Sequence, residues 1–145
     1  MTILVTLRKT APDKFGGSLR ILLGLVFFMA GILKVVVPSL GAAFSGQLVA
    51  ASIPLQGLVL YTFPIIEMVL GILLLAGLHA RITAAIAALS MVVATYVHIT
   101  VDDSSLFPLQ PVEPIGPLML LAMLAYILFR GGGAWSLDLK DCSRR

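Results

Sequence analysis

Long apolar stretches separated by short polar or proline-rich segments dominate the chain. They lie at roughly residues 18–37, 57–78, 81–100 and 114–130, and few of their positions are charged. A helix of roughly 20 residues, rising about 1.5 Å per residue, crosses the hydrocarbon core of a bilayer. The pattern therefore predicts four transmembrane helices, of which the fourth is the shortest.

Residues 39–53, between the first two of these stretches, show a different pattern. Their apolar side chains fall on one helical face, at Leu40, Phe44, Leu48 and Ala51. Such spacing predicts an uncharged amphipathic helix that lies in the outer membrane interface. The predicted fold is an all-α integral membrane protein, a four-transmembrane-helix bundle with this interfacial amphipathic helix between helices 1 and 2.

Composition and charge support a membrane protein and give it an orientation. The chain has 145 residues, 59% of them hydrophobic and 12% charged, and its mean hydropathy is +1.07. All basic residues except Lys34 lie at helix ends that alternate to one side, and the outward loops carry none. By the positive-inside rule both termini are cytoplasmic (N-in/C-in). The net charge of +3 is explained by this topology, so nucleic acid is not an expected partner, whereas membrane lipids are.

Two charged residues inside the apolar stretches are the strongest candidates for a functional site. Glu67 is the one charge between residues 58 and 78, and Lys34 lies in the first stretch, about one turn from its outward end. A charge at the centre of a membrane span costs roughly 2.5–3.5 kcal/mol on insertion scales, so each needs a partner. Three interpretations stay open: a structural ion pair, a polar pocket for a quinone head group, or an ion or proton pathway.

Other polar residues fall at the same outer level of the bundle. His98 could join Lys34 and Glu67 as a quinone donor or proton carrier, or could simply bond a backbone carbonyl. Tyr61 and Gln47 are possible pocket-lining residues. Near the cytoplasmic side, Arg130 ends the fourth span and Trp135 is an expected interface anchor.

Small residues and one proline are spaced to bring the predicted helices close together. These helix-packing positions are Gly24, Gly31, Pro64, Gly71, Ala87, Ser90 and Ala94. Pro64 should also kink the second span, on the face that carries Glu67.

Several kinds of chemistry are absent from the sequence. The single cysteine, Cys142, allows no internal disulfide and no Cys-x-x-Cys redox pair. There is no nucleophile–base constellation, phosphate loop or dinucleotide motif, and no metal site is expected. The chain thus has no self-sufficient catalytic constellation and no intrinsic cofactor, and in redox chemistry it could be at most a subunit of a quinone-linked oxidoreductase.

Several motifs occur in an order that resembles the DoxX family of small four-helix bacterial membrane proteins. They are Gly31-x-x-Lys34, Glu67-x-x-x-Gly71, Gly77-Leu78-x-x-Arg81 and the closing Gly133-Ala134-Trp135-Ser136-Leu137-Asp138. The resemblance spans residues 17–138, preceded by a cytoplasmic lead at 1–16 and followed by a basic tail at 139–145. It implies a location in the bacterial cytoplasmic (inner) membrane and a link to quinone-dependent redox chemistry.

The function expected from this resemblance is an accessory or quinone-interacting component of a membrane redox complex, similar to thiosulfate:quinone oxidoreductase. Its partners would be other subunits of that complex. One alternative is a non-catalytic structural subunit at the periphery of a larger membrane assembly. Another is a small proton-coupled carrier in which Glu67 titrates.

Overall fold

The structure is a computed structural model that describes Thr10 and residues 12–143. In this part of the chain the regular elements are helical. They are α1 (Lys14–Val36), α2 (Pro38–Ala50), α3 (Gln56–Ala76), α4 (Ala80–Thr100), a short 3₁₀ turn (Ser104–Leu106), α5 (Ile115–Arg130) and α6 (Leu137–Ser143). Helices α1, α3 and α4 are long and apolar enough to cross a membrane, and α5 is a shorter apolar helix of 16 residues. The protein is therefore an all-α membrane bundle of three long apolar helices and a shorter one.

Helices α1 and α3 pack together at their glycines. A Cβ added to Gly31 would lie 2.5 Å from the carbonyl oxygen of Pro64, and one added to Gly71 would lie 2.5 Å from the backbone nitrogen of Phe28. Since real side chains do not approach a backbone so closely, the two helices are in backbone contact here. Gly24, Gly31 and Gly71, three of the predicted packing positions, lie in this contact.

Helix α4 packs chiefly on α5, through small residues on α4 and branched residues on α5. Ala84, Ala87, Leu124 and Ile127 are fully buried, and Ser90 is nearly so. Both helix pairs meet around one apolar core, whose α1 and α3 members are Leu23, Phe27, Leu70 and Leu74. The bundle is thus two tightly packed pairs that share a core.

One end of the bundle is closed by polar contacts between distant parts of the chain. The turn between α3 and α4 has left-handed residues at Gly77 and His79. Both carboxylate oxygens of Asp138 accept hydrogen bonds from the first free backbone N–H groups of α4, those of His79 and Ala80, at 3.0 and 2.8 Å. The backbone N–H of Ala134, which follows α5, also donates to the carbonyl oxygen of Asp13 at 2.8 Å. The start of α1, the α3–α4 turn and the end of α5 therefore lie together, and this end carries Arg81 and Arg130.

Helix α2 and the loop from Val101 to Pro114 cover the opposite end. Helix α2 begins at Pro38 and ends at Ala50, close to the predicted 39–53, and its apolar face is buried at Phe44 and Leu48. The side-chain nitrogen of Gln47 donates to the carbonyl oxygen of Leu106 at 2.5 Å, which fixes the loop against α2. This end carries the acidic residues of the loop, Asp102, Asp103 and Glu113.

The boundaries of the predicted lead and tail differ from the helices found. Helix α1 begins at Lys14, inside the predicted lead 1–16, because the Asp13 carboxylate caps it by accepting from the N–H groups of Phe15 and Gly16. Helix α6 extends to Ser143, inside the predicted tail 139–145. Residues 1–9, 11, 144 and 145 lie outside the described part of the chain.

Candidate functional site

Lys34 and Glu67 form a direct ion pair. The ammonium nitrogen of Lys34 lies 2.7 Å from Oε1 and 2.6 Å from Oε2 of Glu67, so it donates to both carboxylate oxygens. Each residue is three positions beyond the Gly31–Pro64 backbone contact on its own helix, and residues at that spacing share a helical face. The close contact of the two backbones therefore brings the two charges together.

Two aromatic rings surround the ammonium group of Lys34. Its nitrogen lies 5.0 Å from the ring centroid of Phe44 on α2 and 5.7 Å from that of Phe63 on α3. The rings stack on each other at 5.9 Å between centroids. At these distances the ring faces attract the cation, which adds to the ion pair. The side chain of Glu67 is 5% exposed and that of Lys34 is 22% exposed, so the lysine is the member of the pair that reaches the surroundings.

A cavity of about 270 Å³ is lined by Phe44 and Phe63 but not by Lys34. Its walls come mainly from α2, α3 and α4. Helices α3 and α4 pack less closely on each other than α1 and α3 do. Apolar side chains make up most of the lining, and the polar members are Gln47, His98 and Gln110. We call this the larger cavity.

A second cavity, of about 180 Å³, lies between α1, α2 and the Phe107–Gln110 segment. Lys34 lines this smaller cavity, which shares Phe44, Gln47 and Gln110 with the larger one. An ammonium group has three N–H donors, of which two oxygens of Glu67 occupy two. The third can be donated to an acceptor in the smaller cavity.

His98 holds the loop from Val101 to Pro114 and lines the larger cavity. Its Nδ1 lies 2.8 Å from the carbonyl oxygen of Val112, and its ring packs against that of Phe107 at 4.4 Å between centroids. The residue is 6% exposed. Of the two roles open to His98 in the sequence, the bond to a backbone carbonyl is present, and the second ring nitrogen is left for an occupant of the cavity.

The other candidate residues divide between the site and its surroundings. Gln47 lines both cavities, whereas Tyr61 is 74% exposed and lines neither of them. The structure corrects the expectation for Tyr61, because its position on α3 turns the side chain to the outer surface of the bundle. Ala94 packs against the core and also lines the larger cavity. Trp135, 61% exposed, and Arg130 lie at the opposite end of the bundle.

Arg20 is a buried residue whose importance sequence reasoning missed. It is fully buried, and its guanidinium donates to the carbonyl oxygens of Gly132 at 2.7 Å, of Leu75 at 2.6 Å and of Leu74. These bonds join α1 to the end of α3 and to the glycine loop after α5. The position of Arg20 just inside an apolar stretch was the available signal for burial. The same position is also usual for an exposed basic residue that follows the positive-inside rule, so it did not distinguish Arg20 from the other basic residues.

Phe44 and Phe63 were not singled out as site residues either. Aromatic side chains in apolar segments are usually core or lipid-facing, and only the position of α2 across α3 brings these two beside Lys34. Gln110 lies in the proline-rich loop, whose path no periodicity predicts. Within the described residues no group of three or more His, Cys, Asp or Glu side chains is arranged to hold a metal ion.

The long apolar helices and the paired charges between them define a multi-pass helical membrane protein with a polar site inside the bundle. The model of the DoxX family matches residues 18–100, which include α2, α3 and α4, most of α1, and both members of the ion pair. The chain belongs to the DoxX family. No curated protein matches the chain, and no solved structure matches it.

Proposed function

We propose that this protein binds a quinone head group in the larger cavity and serves as a quinone-interacting subunit of a membrane redox complex, in the manner of a thiosulfate:quinone oxidoreductase. The observation that carries the proposal is the larger cavity itself, about 270 Å³ in volume and walled by Phe44 and Phe63. It combines apolar walls with the polar side chains of Gln47 and His98.

The size and lining of the larger cavity suit a single substituted ring. Pockets for small ligands usually measure roughly 300–1,000 Å³ and are apolar with a few placed polar groups. At about 270 Å³, this cavity is just below that range. A quinone is an amphiphile with a flat ring, two polar oxygens and an apolar tail. The ring would lie between α2, α3 and α4, and the tail would leave beside Val93, which is 41% exposed on the outer surface of α4.

The Lys34–Glu67 pair would hold the aromatic wall of this cavity in place. The ammonium group lies over the rings of Phe44 and Phe63, which line the larger cavity, whereas Lys34 itself lines the smaller one. Its third N–H is the donor that an oxygen in the smaller cavity would meet. Glu67, bonded twice to Lys34, keeps that cation in position.

Electron transfer would belong to a partner subunit. The sequence has one cysteine and no paired redox thiols. A redox role therefore requires a second protein whose redox centre approaches the bound ring. The proposed contribution of this chain is to bind and orient the quinone.

The proposed topology has four spans, both termini in the cytoplasm of a bacterial cell, and α2 in the outer interface. Its support is the separation of charge between the two ends: Arg20, Arg81 and Arg130 lie at one, and the acidic loop lies at the other. A membrane-impermeant thiol reagent should then label a Ser105→Cys variant of otherwise cysteine-free protein in cells with a permeabilised outer membrane. In the unmodified protein it should not label Cys142 until the inner membrane is opened, and the reverse result would refute this orientation.

Filling the larger cavity tests the quinone proposal. Ala94 lines it, so Ala94→Phe should exclude a ring, whereas Ala85→Phe adds the same ring to the exposed face of the same helix. Binding of a short-chain benzoquinone to protein in nanodiscs should be present in the wild type and Ala85→Phe and at least ~10-fold weaker in Ala94→Phe. Equal binding by both variants would remove the larger cavity as the site.

A structural subunit is the second candidate, favoured by the closed geometry of the ion pair. Both oxygens of Glu67 are bonded to Lys34, as in a pair that fixes helix register. On this hypothesis Ala94→Phe leaves function intact, and Glu67→Gln lowers the amount of protein incorporated into its native complex. Normal incorporation of Glu67→Gln would count against it.

A further inference from the structure

The hydrogen-bonding state of His98 limits what the larger cavity can accept. A carbonyl oxygen accepts but never donates, so the 2.8 Å contact with Val112 requires the proton of a neutral imidazole to be on Nδ1. In that tautomer Nε2 carries a lone pair and no proton. His98 therefore offers an acceptor to an occupant of the cavity.

The free nitrogen of His98 is also reachable. Among the described residues, no fully buried side-chain nitrogen or oxygen lacks a hydrogen-bond partner. Since Nε2 has no protein partner while its residue lines the larger cavity, this atom has access to open space. The ring is held at its other nitrogen and against Phe107, so it cannot turn without releasing the loop.

The other polar side chains that line the larger cavity are compatible with an occupant that donates a hydrogen bond to His98. Gln47 uses one side-chain N–H on Leu106, which leaves it one N–H and the oxygen, so it can bond either a donor or an acceptor. Gln110, at the exposed rim, has the same freedom. Lys34 is a fixed donor, but it lines the smaller cavity and not the larger one.

We infer that the larger cavity selects an aromatic hydroxyl, and hence the reduced quinol in preference to the quinone. A quinol O–H can donate to Nε2 of His98. A quinone carbonyl oxygen is an acceptor, as Nε2 is, so no hydrogen bond could form between them and the nitrogen would stay unpaired. This inference rests on the proposed function, because it concerns the same cavity and the same ring. It specifies which redox form of the ligand the larger cavity retains, and it assigns His98 the role of binding the hydroxyl group.

A series of three ligands tests the inference on the wild-type protein. A short-chain benzoquinol, the matching quinone and the dimethyl ether of the quinol have similar rings, but only the quinol has O–H donors. Affinities would be measured at pH 8 in nanodiscs, without oxygen, by equilibrium dialysis. The quinol should bind about 10-fold more tightly than either of the others, the usual effect of one added hydrogen bond with an otherwise unpaired group.

A variant pair assigns the preference to His98. His98→Phe keeps an aromatic ring beside Phe107 and removes both nitrogens, so the quinol should lose its advantage and bind like its ether. Tyr61→Phe removes a hydroxyl from the exposed surface of α3 and should leave the preference unchanged. The ligand series on the wild type decides the question even if His98→Phe does not fold.

The outcomes separate the inference from the proposed function. Equal affinity for quinol, quinone and ether overturns the inference while leaving the larger cavity as a quinone site. A quinol preference that survives in folded His98→Phe overturns the role of His98. If none of the three ligands binds, the proposed function fails, and the inference fails with it.

Discussion

The ammonium nitrogen of Lys34 lies within 2.7 Å of both carboxylate oxygens of Glu67, one helical turn from the Gly31–Pro64 backbone contact between α1 and α3. The two residues differ in environment, since the lysine side chain is 22% exposed and the glutamate side chain 5% exposed. The more buried Glu67 therefore depends more strongly on the ion pair than Lys34 does. This asymmetry leads to the first prediction.

Removing Lys34 should destabilise the protein more than removing Glu67. Lys34→Met leaves a buried carboxylate without its partner, and breaking such a pair costs about 3–5 kcal/mol. Glu67→Met leaves a lysine whose long stem can carry its charge to the surface, so the loss should be smaller. Thermal unfolding in nanodiscs measures both effects.

The double variant Lys34→Met/Glu67→Met should regain most of the stability lost in Lys34→Met, because no unpaired charge remains. Lys14→Met, which removes an exposed charge at the start of α1, is the control and should change little. Additive losses in the double variant would show that the two charges do not act as a pair.

The α1–α3 contact should tolerate no added methyl group at Gly31. A Cβ there meets the backbone oxygen of Pro64 at 2.5 Å, and a backbone cannot move aside as a side chain can. Gly31→Ala should therefore lower the unfolding free energy by about 1–3 kcal/mol. Gly57→Ala is the matched control: nothing lies within 4 Å of its Cβ, and alanine favours a helix by up to about 1 kcal/mol. Equal effects of the two substitutions would refute the close contact.

Replacing Arg20 should weaken the closed end of the bundle. Its guanidinium is the donor for the carbonyl oxygens of Leu75 and Gly132, and a buried carbonyl left unpaired costs about 1–3 kcal/mol. Lysine cannot reproduce the planar set of donors, so Arg20→Lys should also destabilise, though less than Arg20→Met.

Thermal unfolding should rank wild type above Arg20→Lys and Arg20→Lys above Arg20→Met. Lys14→Met again serves as the exposed control. If Arg20→Met unfolds at the wild-type temperature, the bonds to the α3 end do not contribute to stability.

Acid should weaken the start of α1 through Asp13. The Tyr126 hydroxyl, which donates to this carboxylate at 2.6 Å, is the largest of the causes that hold the pKa of Asp13 below its ordinary value, and the N–H groups of Gly16 and Phe15 add to it. A carboxylate whose folded-state pKa is depressed contributes stability that is fully present above its unfolded pKa, near 3.9, and is lost as the pH falls through the folded value.

Tyr126→Phe removes the largest of these stabilising contacts and should reduce the loss of stability between about pH 5 and pH 3. Asp13→Asn should remove the contribution of this residue to the pH dependence altogether. Unfolding temperatures measured across this range give the comparison. A Tyr126→Phe profile identical to that of the wild type would contradict the role of the hydroxyl.

The fold and the central pair could be predicted because each leaves a local mark in the sequence. A charge within an apolar stretch must find a partner, and Lys34 and Glu67 follow the glycine and proline that bring their helices into contact. The buried faces of α2 and α3 follow directly from helical periodicity. The spans themselves are marked by length and hydropathy.

Other parts of the site depend on long-range packing, for which the sequence has no local mark. Phe44 and Phe63 become walls of a cavity only because α2 folds across α3, and Gln110 arrives from an irregular loop. The tautomer of His98 is set by Val112, fourteen positions further along the chain. The burial of Arg20 could not be predicted, because buried and exposed arginines at a helix end have the same sequence context.

The central claim is that the larger cavity holds a quinone, and the most direct measurement is the quinone content of protein purified from native membranes in mild detergent. Mass spectrometry of the extracted lipid, together with the co-migrating subunits, should find close to one quinone per chain in the wild type and in Ala85→Phe. Ala94→Phe should retain little or none. Equal quinone content in the three proteins, or none in any, would contradict the account.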